Sequence, residues 1–145
     1  MKRLFPTVAL VFALAACATN SAQREVDRLA LYTAHAGTPM PSFRYFGRLY
    51  GWTPLGDAAI AVWTRPNQAY LLSFNGRCPD LDFASAISVS SQSGTVYSKF
   101  DKVVVVNRNA MRIPCHIREI RPLDVKAIQQ AQRDIRANAQ VSERP

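Results

Sequence analysis

The stretch Asn75-Gly76-Arg77-Cys78-Pro79-Asp80-Leu81 is the hinge of this chain. A turn ends one apolar run there, and Cys78 follows it. Past residue 17 the only other cysteine is Cys115. A disulfide between Cys78 and Cys115 would tie the two halves of a small domain together, closing a loop that spans 37 sequence positions. Loop-closure entropy for that span is worth roughly 4 kcal/mol on the chain-entropy model. The alternation of residues 112–117 agrees with this pairing. Ile113, Cys115 and Ile117 share one face of a strand, which turns the Cys115 sulfur inward.

Such a bridge needs an oxidising compartment, and the N-terminus reads as an address to one. Lys2 and Arg3 form a positive start, and residues 4–14 are an apolar run too short to span a bilayer. Leu14-Ala15-Ala16-Cys17 follows. This run resembles the lipobox of bacterial lipoproteins. The resemblance implies cleavage after residue 16 and fatty acylation (palmitate-type chains) of Cys17. Several acyl chains on one residue give stable anchoring, because each buried CH₂ contributes about 0.8 kcal/mol. Ala18 stands where an inner-membrane retention signal usually has Asp, so the expected address is the outer membrane, facing the periplasm. Ordinary signal cleavage, releasing a soluble periplasmic protein, is the alternative. The cysteine count of three then resolves into one for lipid and two for the bridge.

The 145 residues suit one domain, and a hydrophobic content of 48% allows a core. The net charge of +8 falls to +6 once Lys2 and Arg3 leave with the leader. That excess fits solubility, or attraction to an anionic surface. The expected organisation is a lipoprotein signal peptide over 1–16, a lipidated tether over 17–41, a β domain over 42–124, a helix over 125–139, and a flexible tail over 140–145. The tether holds a candidate short helix at 23–34, ended by Gly37, Pro39 and Pro41.

Within the β domain, residues 42–50 read as a strand with Phe43, Tyr45 and Leu49 in phase. Residues 51–57 read as a turn. Residues 58–74 form a hairpin around Arg65-Pro66-Asn67-Gln68, with Ile60 and Val62, then Tyr70, Leu72 and Phe74, in phase. One or two helical turns are expected after Pro79, then short strands at 87–91 and 95–99. The β-branched run 103–106 is expected deep in a sheet. Asp124 reads as the N-cap of the last helix, Leu123 and Ile128 as a hydrophobic staple, and Val125, Ile128, Ala131 and Ile135 as its docked stripe. The fold expected is mainly β: a small antiparallel curled sheet or partial barrel with one packed C-terminal helix.

Several local motifs carry a family likeness. Arg44-Tyr45-Phe46-Gly47, Gly51-Trp52, Leu55-Gly56-Asp57, Val62-Trp63-Thr64-Arg65-Pro66-Asn67, Cys78-Pro79-Asp80-Leu81, Phe100-Asp101-Lys102-Val103 and Arg121-Pro122-Leu123-Asp124 are similar to an uncharacterised family of small Gram-negative exported lipoproteins, a domain of unknown function. The likeness covers residues 42–124 and implies no activity.

Candidate chemistry is sparse. Cys115 and His116 are adjacent in a strand and point to opposite faces, so they make no thiol–imidazole pair. No spacing matches a zinc site, and no pattern calls for a metal or cofactor. Asp80, Asp82 and Asp101 are candidate acid–base groups, against structural roles at turns and strand ends. Arg108, Arg112, Arg118 and Arg121 form a candidate basic patch. Trp52, Trp63, Tyr45, Tyr50 and Tyr70 read first as core. With Arg44, Arg48 and Arg65 they would imitate a nucleic-acid face, which the exported address argues against. The expected role is a non-catalytic binding or assembly module that meets the membrane through its anchor and takes an envelope protein, lipid or peptidoglycan-type partner. The alternatives are an enzyme acting on an envelope polymer, which needs two carboxylates about 5–10 Å apart in a cleft, and a binder of anionic lipid or polymer surfaces.

Overall fold

A computed structural model describes residues 11–108 and 112–142, with side chains from residue 20 onward. Residues 1–10 of the expected leader and 143–145 of the expected tail lie outside the described residues, as does the side chain of Cys17. Helix α1 (Val11–Ala34) is followed by strands β1 (Ser42–Arg44), β2 (Gly51–Pro54), β3 (Ala59–Arg65) and β4 (Gln68–Phe74). A 3-10 turn (Leu81–Phe83) leads to β5 (Ala86–Val89), β6 (Thr95–Tyr97), β7 (Lys102–Val106), β8 (Ile113–Leu123) and helix α2 (Val125–Ser142).

The fold is mainly β, as the alternation predicts. Six strands in the order β2-β3-β4-β8-β7-β5 make one antiparallel sheet that curls into a half-barrel. A two-stranded sheet, β1 with β6, packs against its inner face through Phe43 and Val96. That inner face holds Ile60, Val62, Tyr70, Leu72, Phe74, Val103, Val105, Ile117 and Ile120, all buried. The opposite face of β3 and β4 presents Ala59, Ala61, Ala69 and Leu71, and Tyr32 of α1 and Ile128 of α2 cover it. The sheet is therefore packed on both faces at one end, which explains why β3 and β4 read as continuous apolar runs.

The Cys78–Cys115 disulfide is present, with Cα atoms 5.5 Å apart and both residues buried. It joins the segment after β4 to the start of β8 on the inner side. Asp124 caps α2 as expected, its Oδ1 accepting from the Ala127 amide at 3.0 Å. Leu123 and Ile128 lie in one buried cluster, as a staple requires.

Several elements differ from the sequence expectation. The helix expected at 23–34 is longer, because residues 18–22 are Ala, Thr, Asn and Ser with no breaker and continue α1. The strand expected over 42–50 stops at Arg44. Gly47, at φ +76°, turns the chain out of the small sheet, and residues 51–54, expected as a turn, pair with β3 as an edge strand. Proline closes that strand, where a missing N–H costs least. The valine run of β7 is covered on one face only: Val103 and Val105 are buried, Val104 and Val106 half-exposed. Helix α2 continues to Ser142, yet its docked stripe ends early, since Ile135 is 58% exposed. Tyr45 and Tyr70 are core, as expected; Trp63 is half-buried, while Tyr50 and Trp52 stand exposed and are not core.

Two β-bulges re-aim side chains. Trp63 and Arg65 of β3 face Ala69 and Gln68 of β4, so Thr64 is an extra residue. Ser73 and Phe74 of β4 face Glu119 and Ile117, so Arg118 is an extra residue in β8. A one-residue slip exchanges the two faces beyond it. Ile117 and Ile120 consequently both point inward despite opposite parity.

Candidate functional site

The Thr64 bulge brings Arg65 to the inner side of the sheet, beside Tyr70 and Gln68, instead of the outer face that Ala61 and Trp63 share. Arg44 closes β1, opposite Thr95 of β6. Arg48 follows on the loop that Gly47 turns. The three arginines meet around a cleft of about 420 Å³, whose walls also hold Met40, Ser42, Phe43, Phe46, Thr64, Gln68, Tyr70 and Thr95. Its floor is a stacked pair: the Phe43 and Tyr70 rings lie 4.4 Å apart between centroids, 18° from parallel. No carboxylate lines it.

None of the three arginines forms an ion pair among the described residues; the pair present is Arg77 with Asp57, both partly or largely in water. Burial pushes the Tyr70 phenol above its usual value of 10.0, and the nearby Arg65 guanidinium pulls it partly back. At neutral pH Tyr70 is thus a neutral hydroxyl at the base of a cationic cleft. Such a cleft, with planar guanidinium donors and aromatic rings in one lining, has the chemistry to accept an anion.

The candidate acids sit in two different settings. Asp101 is 4% exposed, and both its oxygens are taken: Oδ1 accepts from Ser90 Oγ at 2.6 Å and Oδ2 from the Tyr97 amide at 2.7 Å. Asp80 and Asp82 stand exposed at the 3-10 turn, and Asp80 makes no side-chain cap bond. Asp80 has φ 60°, a left-handed conformation that Asp tolerates better than most residues. Among the described residues no group of three or more His, Cys, Asp or Glu side chains is placed to hold a metal ion. His116 is exposed, and Cys115 faces the core.

The candidate basic patch divides. Arg112 stands exposed just before β8, on the uncovered outer side of β7 and β8, beside Lys102, Val104, Val106 and Pro114. His116, opposite Lys102, and Arg118 are exposed on β8. Arg108 is exposed just past β7. Arg121 does not join them. Beyond the bulge it turns toward the α1 exit, where Nε donates to the Gly37 carbonyl at 2.7 Å and Nη2 to that of Ala36 at 3.3 Å. Cys17 lies within α1. No described helix is long and apolar enough to cross a membrane.

A family model described as a family of unknown function (DUF6491) matches residues 1–139. Among curated proteins and solved structures, nothing matches the chain.

Proposed function

We propose, for a chain that belongs to this family of unknown function, the role of an exported module, lipid-anchored at Cys17 to the outer membrane, that binds an anionic envelope component without transforming it. The observation that carries the binding role is the convergence of Arg44, Arg48 and Arg65 on one aromatic-floored cleft with no carboxylate on its walls. Three cations held together repel one another, and an anion relieves that repulsion while accepting charge-assisted hydrogen bonds. The engagement of both Asp101 oxygens argues against the hydrolase alternative. The anchor is supported by the lipobox-like run ending at Cys17.

Titration calorimetry with tripolyphosphate tests the cleft. Binding should weaken as salt rises and fall by about tenfold or more in Arg44→Gln/Arg48→Gln/Arg65→Gln. Equal affinity in the triple variant would sink the reading. Intact mass of the membrane-extracted protein tests the anchor: a start at Cys17 with added acyl mass is expected, and an unlipidated start elsewhere refutes it.

A second reading, an anionic-surface binder, is favoured by Lys102, Arg112 and Arg118 on the outer side of β7 and β8, which form no ion pair among the described residues. It requires that charge reversal there, and not in the cleft, releases the protein from phosphatidylglycerol vesicles.

A further inference from the structure

We infer that the cleft takes a pyranose sugar carrying a carboxylate, an inference that rests on the cleft being an anion site. The observation is Phe46. This residue is 77% exposed although it lines the cleft, whereas Phe43 and Tyr70 of the floor are 3% and 8% exposed. Phe46 lies between Arg44 and Arg48 in sequence, on the loop that Gly47 turns at φ +76°. A bare anion such as phosphate has use for the guanidiniums and none for a free phenyl face. A lipid headgroup would bring acyl chains, which a short polar-rimmed cleft does not house.

A pyranose ring matches the whole wall. One of its faces is a patch of C–H groups, which covers an exposed aromatic ring and removes apolar surface from water. Its rim of hydroxyls meets Thr64, Gln68 and Thr95, which supply both donors and acceptors. A carboxylate on the sugar meets the planar guanidinium of Arg44 or Arg48 in the two-bond geometry those groups favour. The volume of about 420 Å³ falls in the range of small-molecule sites.

The test compares three probes on the full chain in detergent: N-acetylmuramic acid, N-acetylglucosamine (a close relative without the lactyl carboxylate) and inorganic phosphate. Calorimetry gives affinity, and saturation-transfer NMR reports which sugar protons touch an aromatic ring. The carboxylated sugar should bind about tenfold or more tighter than the neutral one. Phe46→Ala should weaken both sugars and leave phosphate unchanged. Arg44→Gln and Arg48→Gln should weaken the carboxylated sugar and phosphate alike. All three positions are exposed, so unchanged thermal melting checks that each variant is folded. Phosphate binding as tightly as the carboxylated sugar, with Phe46→Ala silent, overturns the sugar and leaves the anion site standing. Absence of binding by both charged probes overturns both.

Discussion

Replacing Asp101 with alanine tests whether one buried carboxylate holds the turn between β6 and β7. Its Oδ2 accepts from the Tyr97 amide at 2.7 Å and its Oδ1 from Ser90 Oγ at 2.6 Å. Ser90 Oγ in turn accepts from the Lys102 amide at 2.9 Å. The backbone joins in, with the Asp101 amide donating to Tyr97 O at 3.0 Å and the Ile117 amide to Asp101 O at 3.0 Å. Lys99 sits within this turn at φ 70°, a conformation that lysine adopts only when its surroundings impose it. Asp101→Ala leaves an amide and a hydroxyl without their acceptor. A hydrogen bond to a charged group contributes about 1.5–3 kcal/mol, so two sharing one carboxylate should cost about 3–5 kcal/mol on removal. That is a large part of the roughly 5–15 kcal/mol that holds a domain folded. In urea, with a slope near 1.5 kcal/mol per M, the midpoint should fall by about 2–3 M. Asp101→Asn keeps one acceptor and should lose about half as much. A midpoint shift under about 0.5 M for the alanine variant would refute the account, and would mean that the backbone bonds suffice to fix the turn.

Three further outcomes are expected. Cys78→Ser with Cys115→Ser should lose up to about 4 kcal/mol, because the bridge closes a loop across a separation of 37 residues; equal denaturation midpoints for the oxidised wild type and the double variant contradict this. Asp124→Ala should cost about 1 kcal/mol in denaturant by removing the α2 cap, whereas Asp124→Asn or Asp124→Ser should restore most of it. Burial raises the phenol pKa of Tyr45 and Tyr70, so in alkali the unfolded chain ionises first: stability should stay level below the unfolded value near 10 and fall as pH climbs through it toward the raised folded values. The tyrosinate absorbance lost in Tyr45→Phe or Tyr70→Phe should come from the part of the alkaline titration above pH 10, and loss from at or below that value would contradict the burial argument.

The sequence was most informative where side chains alternate without interruption. Ile60 and Val62 on β3, and Tyr70, Leu72 and Phe74 on β4, share the inner face that their parity predicts. The pairing of Cys78 with Cys115, read from the cysteine count, agreed with the same parity at Ile113, Cys115 and Ile117. Parity failed at Thr64 and Arg118, because a bulge is a slip of backbone register with no compositional mark. The slip at Thr64 carried Arg65 into the cleft, whereas Arg121 left the expected basic patch because its guanidinium donates to the Gly37 and Ala36 carbonyls. Arg44, Arg48 and Arg65 were visible beside the aromatics, yet alternation alone could not show that they converge on one cleft. Phe46 and Tyr50 lie on the opposite parity to Phe43, Tyr45 and Leu49, and the strand ends before both.

Helix α1 has one more consequence. From Cys17 to Ala34 it is continuous, a rise of about 25 Å at 1.5 Å per residue. For a protein anchored at Cys17, the cleft is then carried on a spar and not on a string. A flexible tether of equal residue count would let the domain sample a broad volume and spread its effective concentration over it. A spar confines the domain to a shell at a set height, so ligands at that height meet a concentrated site and ligands pressed against the bilayer scarcely meet it. Breaking α1 with a Gly-Ser pair between residues 20 and 23 would convert one regime into the other without touching any group that lines the cleft.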